Sequence, residues 1–184
     1  MKVLQCSQVD APKLDALARE IGPFDFIIDD GSHLNAHQIE TFGILWPHLK
    51  DGGTYIVEDV QTSYWPAYGG GLLGTPAYAR SCMHWFKNLA DSVNLPEFLE
   101  PAPAGLDPGI ASIAFHHNLI VVRKDLPSSL RSAIQESLVT MRERNPNVFK
   151  EIGAWLGGFV PADDGKYQVI RELNDTAKKL AAQK

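Results

Sequence analysis

With 184 residues, of which 45% are apolar and 21% charged, the chain has an ordinary globular composition and enough length for one domain with a small appendage. A formal charge of −5 gives no electrostatic reason to expect nucleic acid or an anionic membrane as partner. The opening Met1-Lys2-Val3-Leu4-Gln5 lacks a signal-peptide run, no apolar stretch reaches bilayer length, and Cys6 and Cys82 stand isolated, so the chain reads as cytoplasmic with reduced thiols.

Lys2 to Gln5 is a short apolar-leaning run that suits a strand. Asp10-Ala11-Pro12 then opens a helix, since Asp is a good N-cap and Pro is tolerated in the first turn. Leu14, Leu17, Ala18 and Ile21 follow at helical spacing, and Gly22-Pro23 ends that helix. Phe24 to Ile28 is a continuous β-prone run of the kind expected of a parallel strand buried on both faces, and it stops in Asp29-Asp30-Gly31. His37 to Leu49 carries a helical stripe of Ile39, Phe42, Leu45, Trp46 and Leu49. Asp51-Gly52-Gly53 reads as a turn, and Thr54 to Val57 as a second buried strand ending in Glu58-Asp59. This is a βαβ unit with an acidic cluster at the carboxyl end of each strand, the edge where open α/β sheets hold their ligands.

Trp65 to Gly74 is a glycine- and aromatic-rich loop suited to covering a substrate. Arg80 to Val93 reads as a helix with Met83, Phe86, Leu89 and Ala90 near one face, and the proline-rich segment from Pro96 to Pro108 as a loop. Ile110 to Phe115 and Leu119 to Val122 flank His116-His117-Asn118 as a hairpin. Leu130, Ile134, Leu138 and Met141 mark a further amphipathic helix closed by Asn145-Pro146, and Tyr167 to Gln183 a terminal one.

The chemistry concentrates in the βαβ unit. Neighbouring parallel strands lie roughly 5 Å apart, so Asp29, Asp30 and His33 should meet Glu58 and Asp59 at one end of the sheet. Carboxylates that close repel one another unless a cation neutralises them, and oxygen donors favour a hard ion such as Mg²⁺. His33 stands near enough to act on a group bound to that ion without being its ligand, as a general base. Plainer readings stay open: Asp29 or Asp30 as a cap or turn residue, Glu58-Asp59 as a solvated strand end, and His33 as a structural histidine. His116-His117 fits a turn better than a metal site, because neighbouring strand residues point to opposite faces. Trp46 and Met83 fit core stripes.

The segments Asp29-Asp30-Gly31-Ser32-His33-Leu34-Asn35-Ala36-His37, Leu49 to Asp59 and Thr62-Ser63-Tyr64-Trp65 closely resemble the macrocin- and mycinamicin-type sugar O-methyltransferases, which include rhamnosyl methyltransferases. The resemblance is strong over residues 24 to 66 and weaker over 1 to 23 and 110 to 124. It implies an α/β fold with a Rossmann-like class I methyltransferase sheet. It also implies S-adenosylmethionine and Mg²⁺ as cofactors, a glycosylated small-molecule acceptor, Asp30, Glu58 and Asp59 as metal ligands, and His33 as the base. Asp29 would support that shell and, with Gln8, face the cofactor, although Cys6-Ser7-Gln8-Val9-Asp10 departs from the family's Gly-Asp-Gln-Ser-Asp stretch. Tyr64 and Trp65 would pack on the sugar, with plain loop packing as the alternative.

The family's glycine-rich cofactor loop has no counterpart here, and Gly69-Gly70-Gly71 follows the wrong element to replace it. The expectation is therefore an N-terminally truncated methyltransferase domain over residues 1–124 and a helical extension over 125–184. Two other functions stay open: a non-catalytic remnant or assembly module, with possible homo-oligomers, and a metal-dependent enzyme like the cephalosporin hydroxylases. A serine hydrolase is disfavoured, since Asp30-Gly31-Ser32-His33 is no G-x-S-x-G elbow.

Overall fold

The computed structural model describes residues 3–98, 101, 103–144 and 147. The chain divides into two units, Met1–Pro127 and Ser128–Lys184. In the first unit the elements run α1 (Ala11–Ile21), β1 (Phe24–Asp29), α2 (Asn35–Leu45), β2 (Leu49–Glu58), α3 (Cys82–Leu89), β3 (Ile110–His116) and β4 (Leu119–Lys124). Short 3₁₀ turns fill Val60–Tyr64, Pro66–Tyr68 and Tyr78–Arg80, and a longer one follows α3 over Ala90–Glu97. In the second unit α4 covers Ser128–Arg144. Asn145-Pro146 and the expected Tyr167 to Gln183 helix lie outside the described residues.

The sheet order is β1-β2-β4-β3, with β1 and β2 parallel and the remaining pairs antiparallel. The hairpin between β3 and β4 turns at Asn118, whose φ of 57° is a left-handed conformation that asparagine tolerates. α1 starts where expected: the Asp10 carboxylate accepts the Lys13 backbone N–H at 3.3 Å, and Pro12 stands in the first turn.

Three expectations need correction. Val3 to Gln5 carries no regular structure, with Val3 and Leu4 exposed and no strand pairing with it among the described residues. β1 is buried on one face only: Ile27 and Asp29 point inward, while Phe26 is 68% and Ile28 59% exposed. It is an edge strand, so the outer face of its continuous apolar run has no partner among the described residues. Asp51-Gly52-Gly53 is not a turn between helix and strand but an irregularity inside β2. The register jumps from Phe24 opposite Leu49 to Phe26 opposite Thr54, and Gly52 takes a φ of 78°. A side chain there would be strained, and the Gly52 N–H is held by the Asp125 carbonyl at 2.9 Å.

The core lies between one sheet face and helices α2 and α3. Tyr55, Val57, Ile120 and Val122 come from the sheet, and Phe42, Trp46, Met83 and Phe86 from the helical side. Phe42, 4% exposed, is the hub: its ring lies 5.0 Å from Trp46, 4.9 Å from Tyr55, 5.5 Å from Trp85 and 5.1 Å from Phe86. Trp46 also donates its indole N–H to Asp107 at 2.7 Å, tying the loop before β3 to the end of α2. Phe42→Ala should therefore lower the free energy of unfolding by about 3–5 kcal/mol, read from the urea midpoint at unchanged slope. Phe42→Leu, which keeps most of the volume, should cost less.

Candidate metal and base site

Asp29 stands opposite Val57 in the parallel pair, so the chain leaves β1 and β2 at the same edge of the sheet. There the structure brings Asp30, His33 and Asp59 together. The His33 Nε2 atom is 3.8 Å from an Asp30 carboxylate oxygen and 3.5 Å from one of Asp59. One donor atom from each of the three residues lies within 4.8 Å of the others.

The backbone is strained at this cluster. His33 has a φ of 58° and Asp59 a φ of 53°; besides Asn118 in the hairpin, these are the non-glycine residues at positive φ among those described. The left-handed conformation costs an ordinary residue roughly 1–2 kcal/mol, and such strain persists where the surroundings enforce it. His33 Nδ1 and Gln61 Oε1 are buried without a hydrogen-bond partner, while the other end of the Gln61 amide donates to Asp59 at 3.0 Å. Unsatisfied buried polar atoms are uncommon in folded proteins, and two of them adjoin this cluster.

Glu58 does not join the set. Strand alternation puts it on the face opposite Val57, and its backbone carbonyl accepts the Gln38 side-chain amide at 2.8 Å. Asp29 lies beneath the cluster, 6% exposed, with the Tyr55 hydroxyl and the Gln8 amide nitrogen each 3.4 Å from its carboxylate. Burial pushes the Asp29 carboxyl up to about 6, against the opposing pull of Tyr55 and His33. Tyr64 and Trp65 are 39% and 48% exposed; Tyr64 stacks on Tyr78 and Trp65 leans against Tyr68. His116 and His117 are exposed at the hairpin and join no cluster of metal-capable side chains among the described residues.

One organising residue was not legible in the sequence. Asn35, 2% exposed, donates to the carbonyls of Thr62 and Tyr68 at 3.1 and 2.9 Å, and accepts from Ser63 Oγ and the Cys82 N–H at 2.9 and 2.8 Å. All four hydrogen-bonding positions of its amide are used, and the aromatic loop is thereby fastened to the start of α3. The asparagine lies inside α2 rather than at its cap, so no capping pattern marks it. Beside β1 a groove of about 640 Å³ opens, lined among others by Leu4, Gln8, Phe26, Ile28, Asp29 and Asp30.

No protein-family model matches the chain. It is 39% identical over 127 residues to mycinamicin VI 2''-O-methyltransferase of Micromonospora griseorubida, a match covering 67% of this chain and 32% of that protein. It is 42% identical over 125 residues to 8-demethyl-8-alpha-L-rhamnosyl tetracenomycin-C 2'-O-methyltransferase of Streptomyces olivaceus, covering 64% and 31%. Over the matched stretch the chain is similar to sugar O-methyltransferases of macrolide and polyketide pathways. The solved structure of MycE methyltransferase from the mycinamycin pathway, in complex with Mg, SAH and mycinamycin VI, superposes with a TM-score of 0.58 at 36% identity, covering 67% of this chain and 31% of that one. The chain thus spans about a third of the length of the curated relatives it matches. Its mixed four-stranded sheet matches the corresponding part of the methyltransferase fold.

The raised Asp29 pKa makes a pH prediction for the metal-free protein. A carboxyl whose folded pKa lies above its ordinary 3.8 favours the protonated native state. That stabilisation is complete below the ordinary value and is lost as pH rises through about 6. Asp29→Asn never ionises, so its melting temperature relative to wild type should rise between acid and neutral pH, in thermal melts with chelator present. A constant difference across that range would contradict the assignment.

Proposed function

We propose that this chain is the metal-and-base portion of an S-adenosylmethionine-dependent O-methyltransferase that methylates a sugar hydroxyl of a glycosylated natural product. The observation that carries this reading is the convergence of Asp30, His33 and Asp59 at the ends of two parallel strands.

The residues fit a hard divalent cation: two carboxylates supply oxygen donors, and the unpartnered polar atoms of His33 and Gln61 leave bonding capacity at the site. Asp30 and Asp59 would hold Mg²⁺, with Glu58 included by its position beside Asp59 rather than by distance. Bound there, Mg²⁺ supplies the charge that makes a sugar hydroxyl more acidic. His33 accepts the hydroxyl proton on Nε2, and the resulting imidazolium is stabilised by the carboxylates on either side, 3.5 and 3.8 Å away. Asp29 underlies the shell through its contacts with Tyr55 and Gln8. The exposed faces of Tyr64 and Trp65 offer apolar surface to a sugar ring.

The described residues do not supply a glycine-rich turn at a strand end for the methyl donor. Gly69-Gly70-Gly71 follows the 3₁₀ turn Pro66–Tyr68, away from any strand end. S-adenosylmethionine therefore enters the proposal through the relatives alone. A cytoplasmic setting is supported by the unpaired thiols of Cys6 and Cys82. A second reading, a non-catalytic assembly module that forms homo-oligomers, is favoured by the open, apolar outer face of β1.

Titration of the chain with Mn²⁺, followed by water-proton relaxation, tests the metal site. Wild type should bind one ion, which Mg²⁺ displaces. Asp30→Asn and Asp59→Asn should each weaken binding by more than roughly tenfold, since even outer-sphere partners of metal sites cost that much. His33→Ala should keep most of the affinity, because it removes the proton acceptor and not a ligand. A wild-type chain that takes up no Mn²⁺ would sink the reading and leave the assembly module.

A further inference from the structure

The Asp29–His33 turn is held by a residue far from it in sequence. Gln8 lies in the turn before α1, and its side chain crosses to the end of β1. Its amide oxygen accepts the Ser32 backbone N–H at 2.6 Å. Its amide nitrogen donates to Thr41 Oγ1 at 2.9 Å and lies 3.4 Å from an Asp29 carboxylate oxygen. The orientation of that amide is fixed by its surroundings. Thr41 is 3% exposed and gives its own proton to the His37 carbonyl at 2.8 Å, so the hydroxyl faces Gln8 as an acceptor.

Gly31 carries the imprint of the same clamp. A Cβ at this position would overlap the Gln8 amide, while the residue does not occupy the left-handed region. A side chain at position 31 would therefore have to displace the Gln8 amide from the space it fills. The next N–H along the chain belongs to Ser32, the one Gln8 accepts, and the next residue is His33, held at a φ of 58°.

We propose that Gln8 is a positioning residue: it fixes the backbone of the Asp29–His33 turn so that Asp30 and His33 face Asp59. This rests on the metal-site reading above. It gives Gln8 a role through the turn instead of direct contact with the cofactor, since both ends of its amide are already engaged by protein.

The test uses the full chain with Mn²⁺ as probe. Gln8→Ala should weaken Mn²⁺ binding by roughly tenfold, the loss usual for a partner that orients metal ligands. Gln8→Glu keeps the acceptor for Ser32 but loses the donor to Thr41, and should fall between the two. His48→Ala, which loses its 2.8 Å contact with Asp15, serves as a destabilised control and should keep wild-type affinity. Gly31→Ala should weaken binding in the wild-type background and add little further loss once Gln8 is Ala, because the side chain it collides with is gone. In hydrogen exchange, the Ser32 amide should lose protection in Gln8→Ala while core amides of β2 keep theirs.

If wild type binds Mn²⁺ and Gln8→Ala binds equally well, the positioning role is overturned while the metal site stands. Affinity losses in His48→Ala as large as in Gln8→Ala would overturn it too, by assigning the effect to general destabilisation. If wild type itself binds no Mn²⁺, the metal-site reading fails, and an unchanged Ser32 exchange rate in Gln8→Ala would separately refute the clamp.

Discussion

Parallel pairing of β1 with β2, in the register that sets Asp29 against Val57, is the constraint from which the rest of this site follows. Two strands running the same way must release their chains at the same edge, and here both are followed by aspartate. Carboxylates brought this close repel one another, although solvent screens part of that repulsion because the Asp30 and Asp59 side chains are 61% and 46% exposed. The structure sets an imidazole beside both: His33 Nε2 faces a carboxylate oxygen of Asp30 and one of Asp59. Reaching that position requires His33 and Asp59 to take left-handed backbone angles. Both strained residues are thus members of the cluster whose charges have to be reconciled, as expected where strain serves function.

Helix α2 transmits the core's rigidity to that edge. Its buried residues are Asn35, Gln38, Thr41 and Phe42. Phe42 packs among four aromatic rings, and the other three spend their side chains on the site: Asn35 on the aromatic loop, Gln38 on the Glu58 carbonyl, Thr41 on Gln8. Fixing one apolar residue in the core therefore orients three polar ones in a neighbouring row. Buried amides are expensive unless satisfied, and Asn35 is satisfied completely, which makes the loop position specific as well as stable.

This division also explains what the sequence revealed and what it hid. The runs at Phe24 to Ile28, Thr54 to Val57, Ile110 to Phe115 and Leu119 to Val122 are strands because their composition is dense in β-formers, and each was legible for that reason. The start of α2 was placed at His37 instead of Asn35 because the buried face of its first turns is polar, and hydrophobic periodicity cannot see a polar stripe. The glycines at 52 and 53 read as a turn because nothing local distinguishes a turn from a strand irregularity. Within the site, Asp30, His33 and Asp59 were visible as residues following strand ends, while the clamp from Gln8 and the hub at Asn35 depend on contacts across 24 and 47 positions of sequence. The resemblance to sugar O-methyltransferases marked where chemistry would lie, but not that Glu58 stands outside the closest group of donors.

The two halves of the site are held by different physics. Asp59 follows the central strand β2, which has neighbours on both sides, and Val57 and Val60 around it are 0% and 1% exposed. Its place is set by packing. Asp30 follows β1, an edge strand with Ile28 59% exposed, so packing acts from one side alone. An edge strand can shift or fray toward its open side at little cost in buried area. Directional bonds resist that movement where apolar contact cannot, and they are found here: Gln8 to Ser32 and Thr41, and Tyr55 toward Asp29. The polar residues concentrated around Asp29 are thus a consequence of the topology, supplying on the open side of the sheet the rigidity that buried valines supply on the closed one.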